Sequence, residues 1–223
     1  KNVSNNLQTI EAWQIQDKGD FYVTLHENPN SKYKISAKDW FDQTRYFEEQ
    51  IQYLNTDYIL PYDVEIVAKE CNQANAFWNP QTKQIIMCYE FLERVNEDYA
   101  TYFGTSLVDE NGVFISNDSA FLGDVIDWVF YHEVGHALTS IYQLPYTGLS
   151  ENVADQFASY IILVDTVFPH EENVNILQDI MYNVGSWFFI QDTRGYDNVY
   201  WDVHNLNIQR FYNVSCYAFG SDP

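Results

Sequence analysis

The sequence predicts an α+β fold, with a small mixed sheet drawn from the first half of the chain and a mainly helical C-terminal part. Two observations carry this. Short runs of β-forming residues bounded by turn residues fall before residue 90, and long segments with helical apolar spacing follow from residue 120 onward. At 223 residues, 46% of them hydrophobic, the chain can build a sizeable core, and a single domain spanning 1–223 is expected. No composition shift, repeat or low-complexity stretch marks a second one.

Taken in order, Asp20 to His26 alternates β-formers and runs into the turn-like Glu27-Asn28-Pro29-Asn30, so a first hairpin is expected there. From about 37 to 55, Trp40, Phe41, Tyr46, Phe47, Ile51 and Leu54 recur at helical spacing among charged residues, which predicts one amphipathic helix. Asp63 to Ala68 and Gln84 to Tyr89 read as strands separated by the turn Asn79-Pro80-Gln81-Thr82, and a helix from about 90 to 102 follows. Asn111-Gly112 is a turn signal. The run Ala120 to Ile141 is the clearest helix of the chain, and Leu144-Pro145-Tyr146-Thr147-Gly148 breaks it. Ser150 can cap a further helix reaching about Val167, before Pro169, and another covers about 172 to 190. The Tyr- and Asn-rich tail from Asp192 has no clear period.

Charge excludes several function classes. Eleven basic against 32 acidic residues give a formal net charge of -21, a field that repels phosphate backbones and anionic lipid headgroups. No nucleic-acid partner is expected. Such a surface can attract calcium, although no motif indicates a site for it. No segment approaches the roughly 20 apolar residues of a membrane span. Of three cysteines, Cys71 and Cys88 flank a short segment and Cys216 lies far from both. A Cys71–Cys88 bridge would imply an oxidising, extracytoplasmic compartment, whereas two reduced buried thiols are the alternative. The first residue is Lys1, which is compatible with a removed leader.

Tyr131-His132-Glu133-Val134-Gly135-His136 places an H-E-x-x-H motif inside the clearest helix. Residues four apart share a helix face, at about 5–6 Å between Cβ atoms, so His132 and His136 can both turn a ring nitrogen toward one Zn²⁺. Glu133 can then reach a water at that ion as general base. A catalytic zinc takes a third protein ligand and keeps an open position. Beyond the breaker, Glu151 and Asp155 again stand four apart, which makes Glu151 the expected third ligand. Asp155 would then accept the free N–H of a liganding histidine. The exchanged assignment, Asp155 on the metal, stays open, because sequence fixes the face and not the depth of insertion. His26 and His170 lack such context and are expected on the surface or in loops.

With these residues in place, the chain resembles the thermolysin-like gluzincins, whose H-E-x-x-H helix is followed by an E-x-x-x-D helix. The likeness extends to Asn75-Ala76-Phe77-Trp78, which is similar to the edge strand on which that family lays its peptide substrate. An unpaired edge offers backbone groups to an extended peptide. More closely, the chain resembles a family of bacterial metallopeptidases of unknown function. The shared features are Cys71 with Asn75 to Phe77, Cys88, Glu133 to Leu138, Ala154 to Ala158 and Gln209 to Asn213. This covers roughly 60 to 223 and leaves 1–60 without a recognisable relative. The resemblance implies a zincin-like architecture with an edge strand over the active-site helix, one zinc per chain and a peptide or protein substrate.

By the same likeness, His204 should donate to the oxyanion and Arg210 should hold a substrate carbonyl, with Tyr131 or Tyr146 as alternative donors. The connection from His136 to Glu151 is shorter than in thermolysin, so the pocket should differ in detail. Two other readings compete with a peptidase: a zinc-containing peptide-binding module that does not cleave, and a structural zinc site. Structural zinc usually takes four ligands including Cys, and no cysteine lies near the motif.

Overall fold

The computed structural model describes residues 16–32, 35–105, 109–111, 119–164, 174–194 and 206–221. Four strands, β1 (Phe21–Leu25), β2 (Val64–Lys69), β3 (Ala76–Asn79) and β4 (Gln84–Cys88), form one sheet in the order β1-β2-β4-β3. β1, β2 and β4 run parallel, and β3 is antiparallel to β4 on the open edge. The sheet is therefore mixed and small, as its sequence predicted.

Around it lie α1 (Ala37–Thr44), α2 (Tyr46–Asp57), α3 (Tyr89–Phe103), α4 (Ser119–Ile141), α5 (Ser150–Val164), α6 (Val174–Thr193) and α7 (Asn207–Ser221). Side chains alternate along the strands, so Val64, Ile66, Ala68, Ile85 and Met87 face the main core, while Val67, Ile86 and Cys88 form a small cluster on the other face with Cys71 and Phe77. Helix α4 is apolar on every side, with Leu122, Val125, Ile126, Trp128, Phe130, Tyr131, Val134 and Ala137 fully buried. Such a helix belongs at the centre of a domain. It packs on β3 and β4 on one side and on α5 and α6 on the other.

Three sequence expectations need correction. The first hairpin does not form: β1 pairs in parallel with β2, because α1 and α2 intervene and return the chain to the same end of the sheet. The expected single helix over 37–55 is two helices, broken at Arg45, which adopts a left-handed φ of 51°. Thr44 Oγ1 turns back to the Trp40 carbonyl at 2.8 Å, and the break lets Trp40, Phe41, Tyr46 and Phe47 all enter the core. A straight helix could not bury all four on one face. The tail after Asp192 holds a 15-residue helix, α7, whose polar and aromatic composition hid its period.

Candidate active site

The site is assembled where α4, α5 and β3 meet. His132 and His136 leave α4 on the face turned toward α5, and Glu151 and Asp155 leave α5 on the face turned back. The two helices approach closely at Gly135, where an added Cβ would stand 3.1 Å from the Phe157 Cβ and 3.2 Å from the Ala154 Cα. A side chain at Gly135 would push α5, and the carboxylates it carries, away from the histidines.

The result is a tight triangle. His132 Nε2 lies 3.1 Å from His136 Nε2, and each ring nitrogen lies 3.2 Å from Glu151 Oε2. His132, Glu151 and Asp155 are buried, and the His136 side chain keeps 20% exposure toward the cleft. Behind the triangle, His132 Nδ1 faces Asp155 Oδ1 at 2.8 Å. Asp155 in turn takes a two-point grip from Arg210 on α7.

Electrostatics follow from that chain of contacts. Burial pushes the His132 pKa down, but the Asp155 and Glu151 carboxylates outweigh it and hold the ring above its ordinary value. Burial pushes Asp155 up, yet His132 and Arg210 together keep it below the usual carboxylate range. Asp155 is thus placed to accept a proton from His132 Nδ1, and in the neutral ring with its proton there, the Nε2 lone pair points at Glu151 and His136.

With both rings neutral and carrying their protons on Nδ1, three largely buried acceptor atoms meet here, an arrangement that costs free energy unless a cation sits among them. Ligand pairs on a tetrahedral zinc with bonds of ~2.0–2.1 Å stand ~3.3 Å apart, close to the separations found. These three residues can therefore hold a divalent ion, and nitrogen with carboxylate oxygen is a donor set suited to zinc.

Glu133 occupies the next position on α4 and is buried, with its Oε2 accepting the Trp78 backbone N–H at 2.8 Å. Its carboxylate is thereby pinned to the edge strand. All four residues of β3 are in register with β4, Trp78 opposite Ile85, and the Trp78 amide is given to Glu133. Asn75, Ala76, Phe77 and Trp78 line one wall of a cleft of about 570 Å³ whose floor includes Glu133, His136 and Glu151. Thr139, Ser140, Tyr146 and Ser150 also line it.

A family model described as "Putative metallopeptidase" matches residues 26–223. The chain belongs to that family. No curated protein and no solved structure matches it. Metal-dependent peptide hydrolysis is the activity the family description names, and among the described residues the His132, His136 and Glu151 group can hold a metal.

Of the residues singled out from sequence, the structure brings His132, Glu133, His136, Glu151, Asp155 and the 75–78 strand to one place. Arg210 reaches Asp155, and His204 lies outside the described residues. Tyr131 is fully buried, bonded to Gln50 beneath α4, and does not face the cleft, while Tyr146 does. The Trp78 amide contact with Glu133 and the part played by Gly135 were not legible in the sequence. Only a glycine inside a helical run, at Gly135, hinted at a close approach.

The Cys71–Cys88 disulfide is formed, and it joins the segment after β2 to the end of β4 across the loop that contains β3. Glu90 accepts the Cys71 and Asn72 amides at 3.0 and 2.7 Å, fixing the far end of that loop. Among the described residues no helix is long and apolar enough to cross a membrane.

Proposed function

We propose that the chain is a zinc-dependent peptidase in which His132, His136 and Glu151 hold the ion and Glu133 is the general base. The observation that carries this is the triangle of His132 Nε2, His136 Nε2 and Glu151 Oε2, with the Glu133 carboxylate beside it on the floor of a cleft bordered by an open strand edge. Zinc held there supplies Lewis-acid polarisation of the scissile carbonyl and acidifies water toward neutrality.

The remaining steps belong to the protein. The outward-facing backbone of β3 orients an extended peptide by strand addition, so the scissile carbonyl is presented to the floor of the cleft. Glu133, held by the Trp78 amide, takes the proton of the attacking water and returns it to the leaving amine. The donor to the developing oxyanion is His204, with Tyr146, half-exposed and lining the same cleft, as the alternative. Asp155 keeps His132 in the tautomer that binds metal. The disulfide supports an extracytoplasmic setting, where such bridges persist.

Hydrolysis of a denatured protein substrate tests the reading. Turnover abolished by a chelator and restored by zinc is the expected result. Zinc uptake without any cleavage across a peptide library would instead make the chain a peptide-binding module.

A further inference from the structure

Arg210 stands 55 positions from Asp155, on the C-terminal helix α7, yet it makes the closest polar contact behind the proposed metal site. Its Nε donates to Asp155 Oδ2 at 3.0 Å and its Nη2 to Oδ1 at 2.8 Å. Oδ1 is the same oxygen that faces His132 Nδ1 at 2.8 Å. Three helices, α7, α5 and α4, thus meet through one carboxylate.

The guanidinium is walled in as well as paired. Its centre lies 4.3 Å from the Phe188 ring and 5.1 Å from the Trp128 ring, and Trp128 itself stacks at 5.5 Å from the His132 ring. Only 12% of the Arg210 side chain is exposed. Cation–π contact from two rings and a two-point ion pair leave the fork one orientation. Two of its donor groups are already engaged by Asp155. The walls of the cleft, by contrast, are drawn from β3, α4, the segment after α4 and the start of α5.

We infer that Arg210 is a positioning residue for the metal centre, acting through Asp155 on His132, and that it does not hold a substrate carbonyl. The inference rests on the metal site proposed above. An imidazole bound through Nε2 can still swing about its own axis unless Nδ1 is held, and a carboxylate that holds it can rotate unless its second oxygen is held too. Arg210 removes that last freedom. The C-terminal helix therefore completes the site although it contributes no ligand.

Removing a partner behind a metal ligand costs about 10–100-fold in affinity. Arg210 lies one contact further out than Asp155, so the low end of that range applies. The informative substitution is Arg210→Lys, which retains the charge and loses the fork. Four proteins are compared, the wild type, Arg210→Lys, Asp155→Asn and the double variant, each titrated with zinc against a chromophoric chelator and assayed for kcat and KM on one peptide. Arg210→Lys should raise the zinc Kd about 10-fold and leave KM unchanged. In the Asp155→Asn background the same substitution should add almost nothing, because its route to the metal is already cut.

A raised KM with an unaltered zinc Kd would overturn the inference in favour of substrate contact. An equal effect in both backgrounds would overturn it in favour of simple packing on Trp128 and Phe188. Should Arg210→Lys not fold, Arg210→Gln is read by the kcat and KM split alone: a fall in kcat at constant KM supports the inference and a rise in KM overturns it. A wild-type chain that takes up no zinc would instead refute the metal reading itself, a result obtained before any variant is made.

Discussion

Replacing Glu133 by Gln separates a peptidase from a zinc-holding shell more sharply than any other single change. Glu133 Oε2 accepts one hydrogen bond, from the Trp78 amide at 2.8 Å, and a Gln carbonyl oxygen can accept the same bond at the same place. The side chain is buried, so the loss of one charge removes a desolvation cost and not a surface contact. His132, His136, Glu151 and Asp155 are untouched. Zinc content should therefore remain at one per chain, and thermal stability should hold or rise slightly.

Only the proton acceptor has gone. General acid–base catalysis is worth about 10²–10⁴-fold, and since in the proposed mechanism the same carboxylate serves in both proton transfers the fall should reach at least the upper end. That corresponds to roughly 5 kcal/mol of lost transition-state stabilisation. The assay is kcat/KM on a chromogenic peptide at saturating zinc, with metal content measured on the same sample. KM should change little, because the β3 edge proposed to orient the peptide is intact. Near-wild-type hydrolysis by a zinc-loaded Glu133→Gln protein would refute the assignment of the base and send its role to another carboxylate in the cleft.

Asp155→Asn should weaken zinc binding about 10–100-fold while leaving it measurable, as read by chelator competition; loss of zinc in this variant with retention in Glu151→Gln would reverse the two roles. Gly135→Ala should lower zinc affinity without touching a ligand, since its Cβ meets Phe157 and Ala154 at 3.1–3.2 Å and must displace α5, and unchanged affinity would show that the helices yield elsewhere. Opening the Cys71–Cys88 bridge by Cys→Ser at both positions should cost roughly 3 kcal/mol on the chain-entropy argument, seen as a lowered Tm, and should impair peptide hydrolysis more than zinc binding because the loop it closes carries β3. Stability should also fall as pH rises through the interval between about 4 and 7. Burial pushes Asp127 up to about 7, against the help of the Tyr46 hydroxyl, so the folded state keeps a proton that the unfolded chain gives up near 4. That preference is complete below the unfolded value and is lost once pH passes the folded one, a penalty of roughly 4 kcal/mol above pH 7 at 1.36 kcal/mol per unit. Asp127→Asn should flatten this part of the pH–stability curve in chemical denaturation, and an unaltered curve would show that Asp127 is not its source.

The chemistry of the candidate site was legible in the sequence because it rides on local periodicity. Two histidines four apart and two carboxylates four apart must each share a helix face, and H-E-x-x-H inside an apolar run puts that face indoors. The β-rich segments before residue 90, the long central helix and the exposed-edge motif at 75–78 were equally local signals. What needed the tertiary structure was every relation between segments distant in the chain. Parallel pairing of β1 with β2 depends on how α1 and α2 turn, and that turn sits on a left-handed Arg45 that no propensity marks. Glu133 is held by a backbone amide, which has no residue type to read. Arg210 could be placed near the chemistry from its sequence position, but its two-point contact with Asp155 could not. That contact depends on which helix packs behind α5, and a chain with a formal charge of -21 buries a cation where an anion already waits inside.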